Sequence, residues 1–274
     1  MPTSISETIL SNGMKIFCLR DKEVATLYEQ IQEYIRNGIE LHEGDTVFDV
    51  GANIGLFTIW VYQLCNKNVN IYAFEPIPAI FEVLKLNAQR IDPEKLKVFF
   101  CGLSQHSQTM TFAYYPNATP LCNAYPEDSK EIQRQLKGAI LRNFQYAPPS
   151  IQWLRWLPSF LRSPVLNYLT KEFFQIELVK CQVKTLSDII KEHNVQQIDL
   201  LKIDVEKSEL EVFLGIEEQD WLKIKQVVVE VHDLDNRVEK IMGLLNKHGL
   251  NKITVEQEPI FQNSNIFNLY ALRQ

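Results

Sequence analysis

The stretch VFDVGANIGLF, residues 47–57, constrains the fold of this chain more than any other part of its sequence. An apolar run reaches Asp49 and Val50, the following turn contains Gly51 and Gly55, and an apolar helix-like segment begins directly after it. A buried strand that passes through a glycine-rich turn into a helix is typical of an open α/β sheet. Ligands of such sheets bind beyond the carboxyl ends of the strands, so the stretch predicts a ligand-binding turn.

The same alternation continues along the chain. Short runs that are almost entirely apolar are typical of strands buried on both faces of a parallel sheet. Such runs are TVFDV (46–50), NIYAFEP (70–76), KVFFCGL (97–103), IDLLKID (198–204) and QVVVEVH (226–232). Helical spacing of apolar residues occurs in segments 54–65, 77–90, 208–216 and 236–249. Five β–α steps of this kind predict a doubly wound α/β fold with a mostly parallel sheet.

The two ends of the chain add further elements. Residues 251–257 and 265–272 are strand candidates with no helix between them, which predicts an antiparallel hairpin at the C-terminal edge of the sheet. Near the N-terminus, residues 8–19 predict a hairpin around Asn12-Gly13, and residues 24–38 predict a helix. We therefore divide the chain into an N-terminal hairpin and helix, 1–45, and a ligand-binding core, 46–274.

The stretch from about 117 to 175 breaks the alternation, because it is too long for an ordinary connection. Between 132 and 171 it has no acidic residue, although the net charge of the chain is −6. The basic residues there are Arg134, Lys137, Arg142, Arg155, Arg162 and Lys171. A helical lid with solvated bases accounts for this composition. The alternatives are a lid whose basic face docks an acidic partner and a helix on a membrane surface, against which four prolines (148, 149, 158 and 164) argue.

The composition of the chain predicts its cellular location and excludes some classes of binding partner. No apolar run approaches the roughly 18 to 20 residues of a membrane-spanning helix, and the segment MPTSISETIL lacks a basic-then-apolar signal pattern. We therefore expect a soluble cytoplasmic protein without a membrane partner. The five cysteines contain no CxxC pair, which favours reduced thiols over a disulfide framework or a zinc site. The negative net charge argues against a nucleic-acid partner.

The turn and the next strand together indicate a nucleoside-bearing ligand. A dinucleotide site is expected to have G-x-G-x-x-G, whereas Asn53 takes the place of the middle glycine in GANIG, which weakens an NAD interpretation. Glu75 ends the next strand twenty residues after Gly55, where a carboxylate can accept both hydroxyls of a ribose.

The motifs FDVGANIGLFT, AFEP, LLKIDVEKSELEVFLGI and QVVVEVHD, in this order and spacing, resemble the FkbM family of S-adenosylmethionine-dependent methyltransferases. The resemblance implies a class I methyltransferase (Rossmann-like) fold with a seven-stranded sheet. It also implies O-methylation of a hydroxyl on a natural product, sugar or polyketide–peptide intermediate. The sequence is similar to methyltransferase domains inside bacterial nonribosomal peptide and polyketide synthases, so an excised domain and a stand-alone protein are both open.

Site residues follow from the resemblance by position. It implies that Asp49, Gly51, Asn53 and Gly55 shape the pocket for the methionine part of the cofactor and that Glu75 holds the ribose. Asp204 ends the fourth core strand and is a further cofactor-binding candidate. Ser104 falls where methyltransferases of this fold border the adenine, although an acid or amide is commoner there.

Chemistry is expected at the ends of the fourth and fifth core strands. Asp204, Glu206 and Lys207 end or follow one strand, and Glu230, His232 and Asp233 end the other. Methylation of a neutral hydroxyl requires a base that removes its proton or a cation that lowers its pKa. His232 is the candidate base, oriented by Glu230. The alternative role for His232 is purely structural.

A metal-dependent alternative uses the same residues. In catechol-type O-methyltransferases, which share the fold, carboxylates at these strand ends bind Mg²⁺, and a lysine three residues after the first acid is the base. Asp204 and Lys207 reproduce that spacing, although Lys207 is equally compatible with a solvated position at a helix start. Asp204, Glu230 and His232 would then be the ligands of Mg²⁺ or Mn²⁺.

The combined prediction is an S-adenosylmethionine-dependent O-methyltransferase that acts on a hydroxyl of a secondary-metabolite intermediate. The substrate is a small molecule or an acyl group tethered to a carrier protein, which the basic insertion would contact. Alternatives are a free small molecule, a saccharide or a carboxylate as acceptor, a nucleic-acid methyltransferase, an NAD-dependent oxidoreductase and a non-catalytic interaction module with the same fold.

Overall fold

The computed structural model describes residues 5–142, 144, 149–257 and 264–274. These residues form two compact units. The larger unit comprises Met1–Met110 and Lys180–Gln274, and the smaller unit comprises Thr111–Val179. Within the described part of the chain, every helix is too short or too polar to cross a bilayer.

The strands and helices follow the predicted alternation. The strands are β1 (Ser6–Ile9), β2 (Lys15–Cys18), β3 (Thr46–Val50), β4 (Asn70–Phe74), β5 (Leu96–Phe99), β6 (Gly102–Leu103), β7 (Gln108–Tyr114), β8 (Glu177–Lys184), β9 (Leu200–Ile203), β10 (Gln226–His232), β11 (Lys252–Glu256) and β12 (Ile266–Leu272). The α-helices are α1 (Asp21–Gln30), α2 (Leu56–Leu64), α3 (Pro78–Ile91), α4 (Ser129–Arg142), α5 (Pro149–Gln152), α6 (Ser159–Leu169), α7 (Leu186–Glu192), α8 (Glu209–Leu214) and α9 (Arg237–Lys247).

The central sheet has seven strands in the order β11-β12-β10-β9-β3-β4-β5. The five strands from β10 to β5 are parallel, with Val47 opposite Leu200 and Leu201 opposite Val227. Strand β12 lies between β10 and β11 and is antiparallel to both. This arrangement confirms the predicted class I methyltransferase fold with an antiparallel C-terminal edge.

Strands β9 and β10 consist mainly of apolar residues, as expected for strands of a parallel sheet that is covered on both faces. Leu200, Leu201 and Ile203 of β9 are fully buried, as are Val227 and Val229 of β10. Burying each such side chain contributes about 1.5–3 kcal/mol to folding. The carboxyl ends of β3, β4, β9 and β10 are therefore held at one edge of a rigid sheet, where the next residues can form a site.

The N-terminal segment differs from the prediction in its helix. The hairpin of β1 and β2 turns at Gly13, as expected. The helix α1 starts and ends earlier than the predicted 24–38, and the chain continues as a 3₁₀ turn, Ile31–Tyr34. Asn37 and Gly38 both have positive φ, which stops helical continuation before the core begins.

Three elements around residue 100 and after residue 176 also depart from the prediction. The single strand expected over 97–103 is divided into β5 and β6, and β6 pairs with Val183 and Lys184 of β8. Strand β8 was not predicted, because its side chains alternate between exposed and buried and half of the residues in its sequence ELVKCQVK are polar. Helix α7, also missed, begins with a capping box between Thr185 and Asp188.

The smaller unit contains α4, α5 and α6 together with a core of its own, formed by Ala113, Tyr115, Ala118 and Phe174. Several large side chains of this unit remain exposed, above all Trp156, Phe160 and Tyr168. Pro148 of the predicted insertion lies outside the described residues. The boundaries 117–175 and the role of the insertion as a lid stay predictions.

Candidate active site

The turn after β3 is fixed by its backbone. The N–H groups of Gly51 and Ala52 both donate to the carbonyl oxygen of Phe74 on β4, at 3.1 and 2.9 Å. Gly51, Asn53 and Gly55 have φ values of 78°, 51° and 90°. A Cβ atom on Gly51 would lie 1.8 Å from the carbonyl oxygen of Asp204, so this position accepts only glycine. The close approach joins the ends of β3 and β9.

Glu75 lies directly beside this turn. Its carboxylate accepts hydrogen bonds from the N–H of Asn53 at 3.1 Å and from the N–H of Ile77 at 2.8 Å. The side chain is buried, and burial raises the pKa of Glu75 to about 7. A carboxylate with two backbone donors keeps free lone pairs, so it can still accept hydroxyl groups of a ligand.

Asp49, a predicted cofactor-binding residue, is completely buried. Its carboxylate accepts from the hydroxyl of Thr58 at 2.7 Å and lies 3.1 Å from the ammonium of Lys202. Lys202 also donates to the carbonyl oxygen of Gly51 at 3.0 Å. Burial opposes the charge on Lys202, but Asp49 and Asp204 raise its pKa overall. Asp49 therefore holds Lys202 under the turn.

Asp204 receives two contacts at the end of β9. Its Oδ2 atom lies 3.5 Å from the Nζ atom of Lys202 and accepts from the hydroxyl of Tyr34 at 3.1 Å. The Asp204 side chain remains 30% exposed, so a carboxylate fixed on one side is available on the other. Sequence reasoning missed both partners: Lys202 is inside an apolar strand, and Tyr34 is separated from Asp204 by 170 residues.

A second group of ionisable side chains follows β9 and ends β10. The Nε2 atom of His232 lies 3.3 Å from Oε2 of Glu206. Glu230, two residues before His232 on the regular strand β10, points to the same face. One ligand atom from each of Glu206, Glu230 and His232 lies within 4.8 Å of the others. This set contains Glu206 in place of the predicted Asp204.

Glu209 of α8 completes this group, which we call the acceptor cluster: Glu206, Glu209, Glu230 and His232. The side chain of Glu209 is fully buried, and its Oε1 atom lies 3.2 Å from Nδ1 of His232. Glu209 thus makes a contact that can orient the imidazole, and the orienting role predicted for Glu230 stays a prediction. Its signal in the sequence was an acid in the first turn of a helix, which is a common capping position.

The charges in the cluster set its protonation. Burial opposes a charge on His232, yet Glu206, Glu209 and Glu230 raise its pKa to about 9. Burial also raises the pKa of Glu206. At neutral pH the cluster therefore holds a proton on His232, and this proton must leave before the imidazole can accept another.

Two further predicted residues have defined surroundings. The N–H of Ser104 donates to the carbonyl oxygen of Lys184 at 2.9 Å, and the residue is buried after β6. Lys207 has φ 76°, its N–H donates to Glu209 at 2.7 Å, and its carbonyl oxygen accepts from Arg237. The Lys207 backbone is thus anchored in the acceptor cluster.

Comparison with known proteins identifies relatives along the whole chain. The 31-O-demethyl-FK506 methyltransferase FkbM of Streptomyces tacrolimicus is 35% identical over 276 residues, covering 99% of this chain and 98% of that protein. The AMB antimetabolite synthetase AmbE of Pseudomonas aeruginosa is 29% identical over 275 residues, covering 97% of this chain but 12% of the synthetase. A crystal structure of a methyltransferase FkbM from Methylobacillus flagellatus has a TM-score of 0.49 at 13% identity, covering 90% of this chain and 51% of that chain.

The family model of the methyltransferase FkbM domain matches residues 49–251, a segment that contains both the turn after β3 and the acceptor cluster. Together with the full-length similarity to a relative 35% identical, this match identifies the chain as a member of the FkbM family of methyltransferases.

Proposed function

We propose that the protein is an S-adenosylmethionine-dependent O-methyltransferase that acts on a hydroxyl of a secondary-metabolite intermediate in the cytoplasm. The observation that carries the proposal is the position of the acceptor cluster, at the same edge of the sheet as the turn after β3. The turn suits a nucleoside-bearing cofactor, and the cluster can take up a proton from a hydroxyl.

The residues of the turn fit the cofactor. Gly51 leaves no space for a side chain of its own beside Asp204, and the buried carboxylate of Glu75 is suited to ribose hydroxyls. The carboxylate of Asp204, held by Tyr34 and Lys202, is suited to an ammonium group. The adenine is assigned to the side of Ser104. S-adenosylmethionine supplies an electrophilic methyl group on its sulfonium sulfur when bound.

His232 is the proposed general base. Its neutral imidazole accepts the proton of the acceptor hydroxyl through Nε2, the atom that faces Glu206 at 3.3 Å. Glu206 and Glu230 then stabilise the imidazolium that forms. Lys207 and Asp204 remain secondary candidates for catalysis. Lys207 would act as a base, and the charge of Asp204 would raise the pKa of the nearby Glu206.

A divalent cation is the second candidate for activating the hydroxyl. The clustering of Glu206, Glu230 and His232 favours this variant, because two carboxylates and an imidazole suit Mn²⁺ and related ions. A bound cation would lower the pKa of the hydroxyl. Chelator that abolishes turnover, with recovery on adding Mg²⁺ or Mn²⁺, would support the metal variant, and full activity in chelator would exclude it.

The proposed acceptor is an acyl group carried by an acidic carrier protein. In the smaller unit, the exposed aromatic side chains of Trp156, Phe160 and Tyr168 lie in the base-only sequence that includes Arg155 and Lys171. Aromatic residues in a basic surrounding suit an acidic protein surface. A relative in an antimetabolite synthetase is consistent with an assembly-line setting. A free small molecule, saccharide or carboxylate is the alternative acceptor.

Intact-mass measurement of methyl transfer tests the proposal. Hydroxyacyl groups loaded on carrier proteins are compared with the same groups as free acids, with S-adenosylmethionine as donor. Methylation restricted to the loaded carriers, lost on raising the salt concentration and in Arg155→Glu/Lys171→Glu, supports carrier docking. Methylation of the free compounds alone would overturn the carrier partner. Binding of the cofactor without any transfer would indicate a non-catalytic module.

A further inference from the structure

Glu209 is the most completely buried acid of the acceptor cluster, and its carboxylate has three partners. It contacts Nδ1 of His232 at 3.2 Å, accepts from the N–H of Lys207 at 2.7 Å and contacts Nη1 of Arg237 at 3.1 Å. Its side chain is 0% exposed. The backbone N–H of Lys207 donates to Oε1 and the guanidinium of Arg237 donates to Oε2, so both oxygens of this buried carboxylate already serve as hydrogen-bond acceptors.

The Oε1 atom of Glu209 accepts from the N–H of Lys207 and faces Nδ1 of His232, so it meets the imidazole as a hydrogen-bond acceptor. The contact with Glu209 therefore requires a proton on Nδ1 of His232. Glu206 faces Nε2 at 3.3 Å and competes for the same proton, but its side chain is 27% exposed and can be solvated, whereas that of Glu209 is completely buried. The neutral imidazole therefore keeps its proton on Nδ1 and carries its lone pair on Nε2. The partner of one ring nitrogen determines the role of the other.

We propose that Glu209 is the positioning residue for His232, fixing both the orientation of its ring and the tautomer that directs Nε2 toward Glu206. The inference rests on the proposed function for its catalytic meaning. The geometry itself is independent of whether His232 acts as a base or binds a cation, since both roles use the lone pair on Nε2.

The surroundings of Glu209 explain how its position is maintained. Glu206 and Lys207 have φ values of 48° and 76°, so the chain after β9 is in a conformation that side chains rarely adopt. Arg237, at the start of α9, donates to both the carbonyl oxygen of Lys207 and the carboxylate of Glu209. The loop and the carboxylate are thus tied to one guanidinium.

The main test is Glu209→Gln, which keeps the size of the side chain and removes its charge. We expect kcat for methyl transfer to fall at least about 100-fold, as for loss of a group that orients a general base. Cofactor affinity and the acceptor KM should change less than about threefold, because the Glu209 side chain is 0% exposed and out of reach of a ligand. Glu209→Asp keeps the charge and should recover part of kcat, whereas Glu218→Gln, at an exposed acid, serves as the matched control.

A second measurement does not depend on turnover or on any variant of Glu209. The ¹⁵N spectrum of the wild-type protein in chelator, at about pH 10 where the imidazole is neutral, reports which nitrogen of His232 carries the proton. The resonance is assigned by its loss in His232→Gln. A proton on Nδ1 supports the proposal, and a proton on Nε2 overturns it. Unchanged kcat in a folded Glu209→Gln would overturn it as well.

The two experiments separate this inference from the proposed function. If no acceptor is methylated, the proposed function fails, while the spectrum still decides the role of Glu209. If methylation occurs but the spectrum shows the proton on Nε2, the function stands and Glu209 is only a structural residue of the loop.

Discussion

The turn after β3 and the acceptor cluster are two regions of one candidate site, and they are constructed differently. The turn is shaped by glycines and by backbone hydrogen bonds to Phe74. The cluster is shaped by four ionisable side chains, of which Glu209 is completely buried. Steric contacts fix the first region, and a balance of charges fixes the second. The turn should therefore tolerate almost no substitution, whereas the cluster should respond in degrees to charge and pH.

Gly51→Ala is the most severe test of the steric region. The new methyl group would lie 1.8 Å from the carbonyl oxygen of Asp204, and φ at this position is 78°. We expect a loss of more than about 4 kcal/mol in the free energy of unfolding and no measurable cofactor binding. Gly44→Ala is the matched control, because Gly44 also has positive φ, 91°, but nothing within 4 Å of a Cβ atom. If calorimetry gave the wild-type cofactor affinity for Gly51→Ala, the close contact at Gly51 would not determine the shape of the binding turn.

Lys202→Met tests whether charge also contributes beneath the turn. The substitution leaves Asp49 buried without its cation and removes a donor to Gly51. Breaking a buried ion pair on one side costs about 3–5 kcal/mol, so the denaturation midpoint should fall without complete unfolding. The exposed Lys247→Met, at a surface ion pair, should change stability by less than about 1 kcal/mol. If both variants lowered the free energy of unfolding equally, the buried ion pair beneath the turn would contribute no more than a surface ion pair.

The charges of the acceptor cluster should make both kcat/KM and the stability of the folded state depend on pH. With a His232 pKa of about 9, the neutral fraction rises with pH, so kcat/KM should increase about tenfold per unit from pH 7 to about 9. The raised pKa also stabilises the folded state below the usual value of 6.5, and this stabilisation is lost as pH rises to about 9. His232→Gln should abolish both trends. A kcat/KM that is flat from pH 7 to 9 in the wild type would contradict the assignment.

Glu75 gives the turn a smaller pH dependence of its own. Its pKa is about 7 in the folded protein and 4.5 otherwise, so the cofactor-free protein should lose stability as pH rises from 4.5 to 7. If the ionised carboxylate of Glu75 accepts the ribose hydroxyls, as proposed, the cofactor affinity should fall about tenfold per unit below pH 7. Titration calorimetry at several pH values measures this, and Glu75→Gln should bind weakly at all of them. A wild-type affinity independent of pH would place the cofactor elsewhere.

Sequence reasoning recovered the turn better than the cluster for a physical reason. Glycines, a strand end and a following acid are local signals, so Gly51, Gly55 and Glu75 could be selected from one short segment. Tyr34 reaches Asp204 from 170 residues away, and only the folded sheet brings them together. Strand β8 could not be predicted from an apolar run, because one of its faces is exposed and carries polar residues. The mostly parallel character of the sheet could be predicted because its buried strands are nearly all apolar.

Lys202 and Glu209 show a second limit of sequence reasoning. Lys202 lies in an apolar strand and Glu209 in the first turn of a helix, positions for which ordinary structural explanations exist. Their importance comes from complete burial next to an opposite charge, and burial of a charged group depends on its three-dimensional neighbours. The metal set illustrates the same point, since Glu206 joins Glu230 and His232 through the loop after β9.

The pairing of β3 with β9 has a consequence for biosynthesis. Val47 and Leu200 are partners in the centre of the sheet, and 153 residues separate them along the chain. At a translation rate of about 5–20 residues per second, strand β9 is synthesised roughly 8 to 30 seconds after β3, and until then this edge of β3 is unpaired. An unpaired apolar strand edge is a template for aggregation, so the nascent chain should depend on chaperones until residue 203 has emerged from the ribosome.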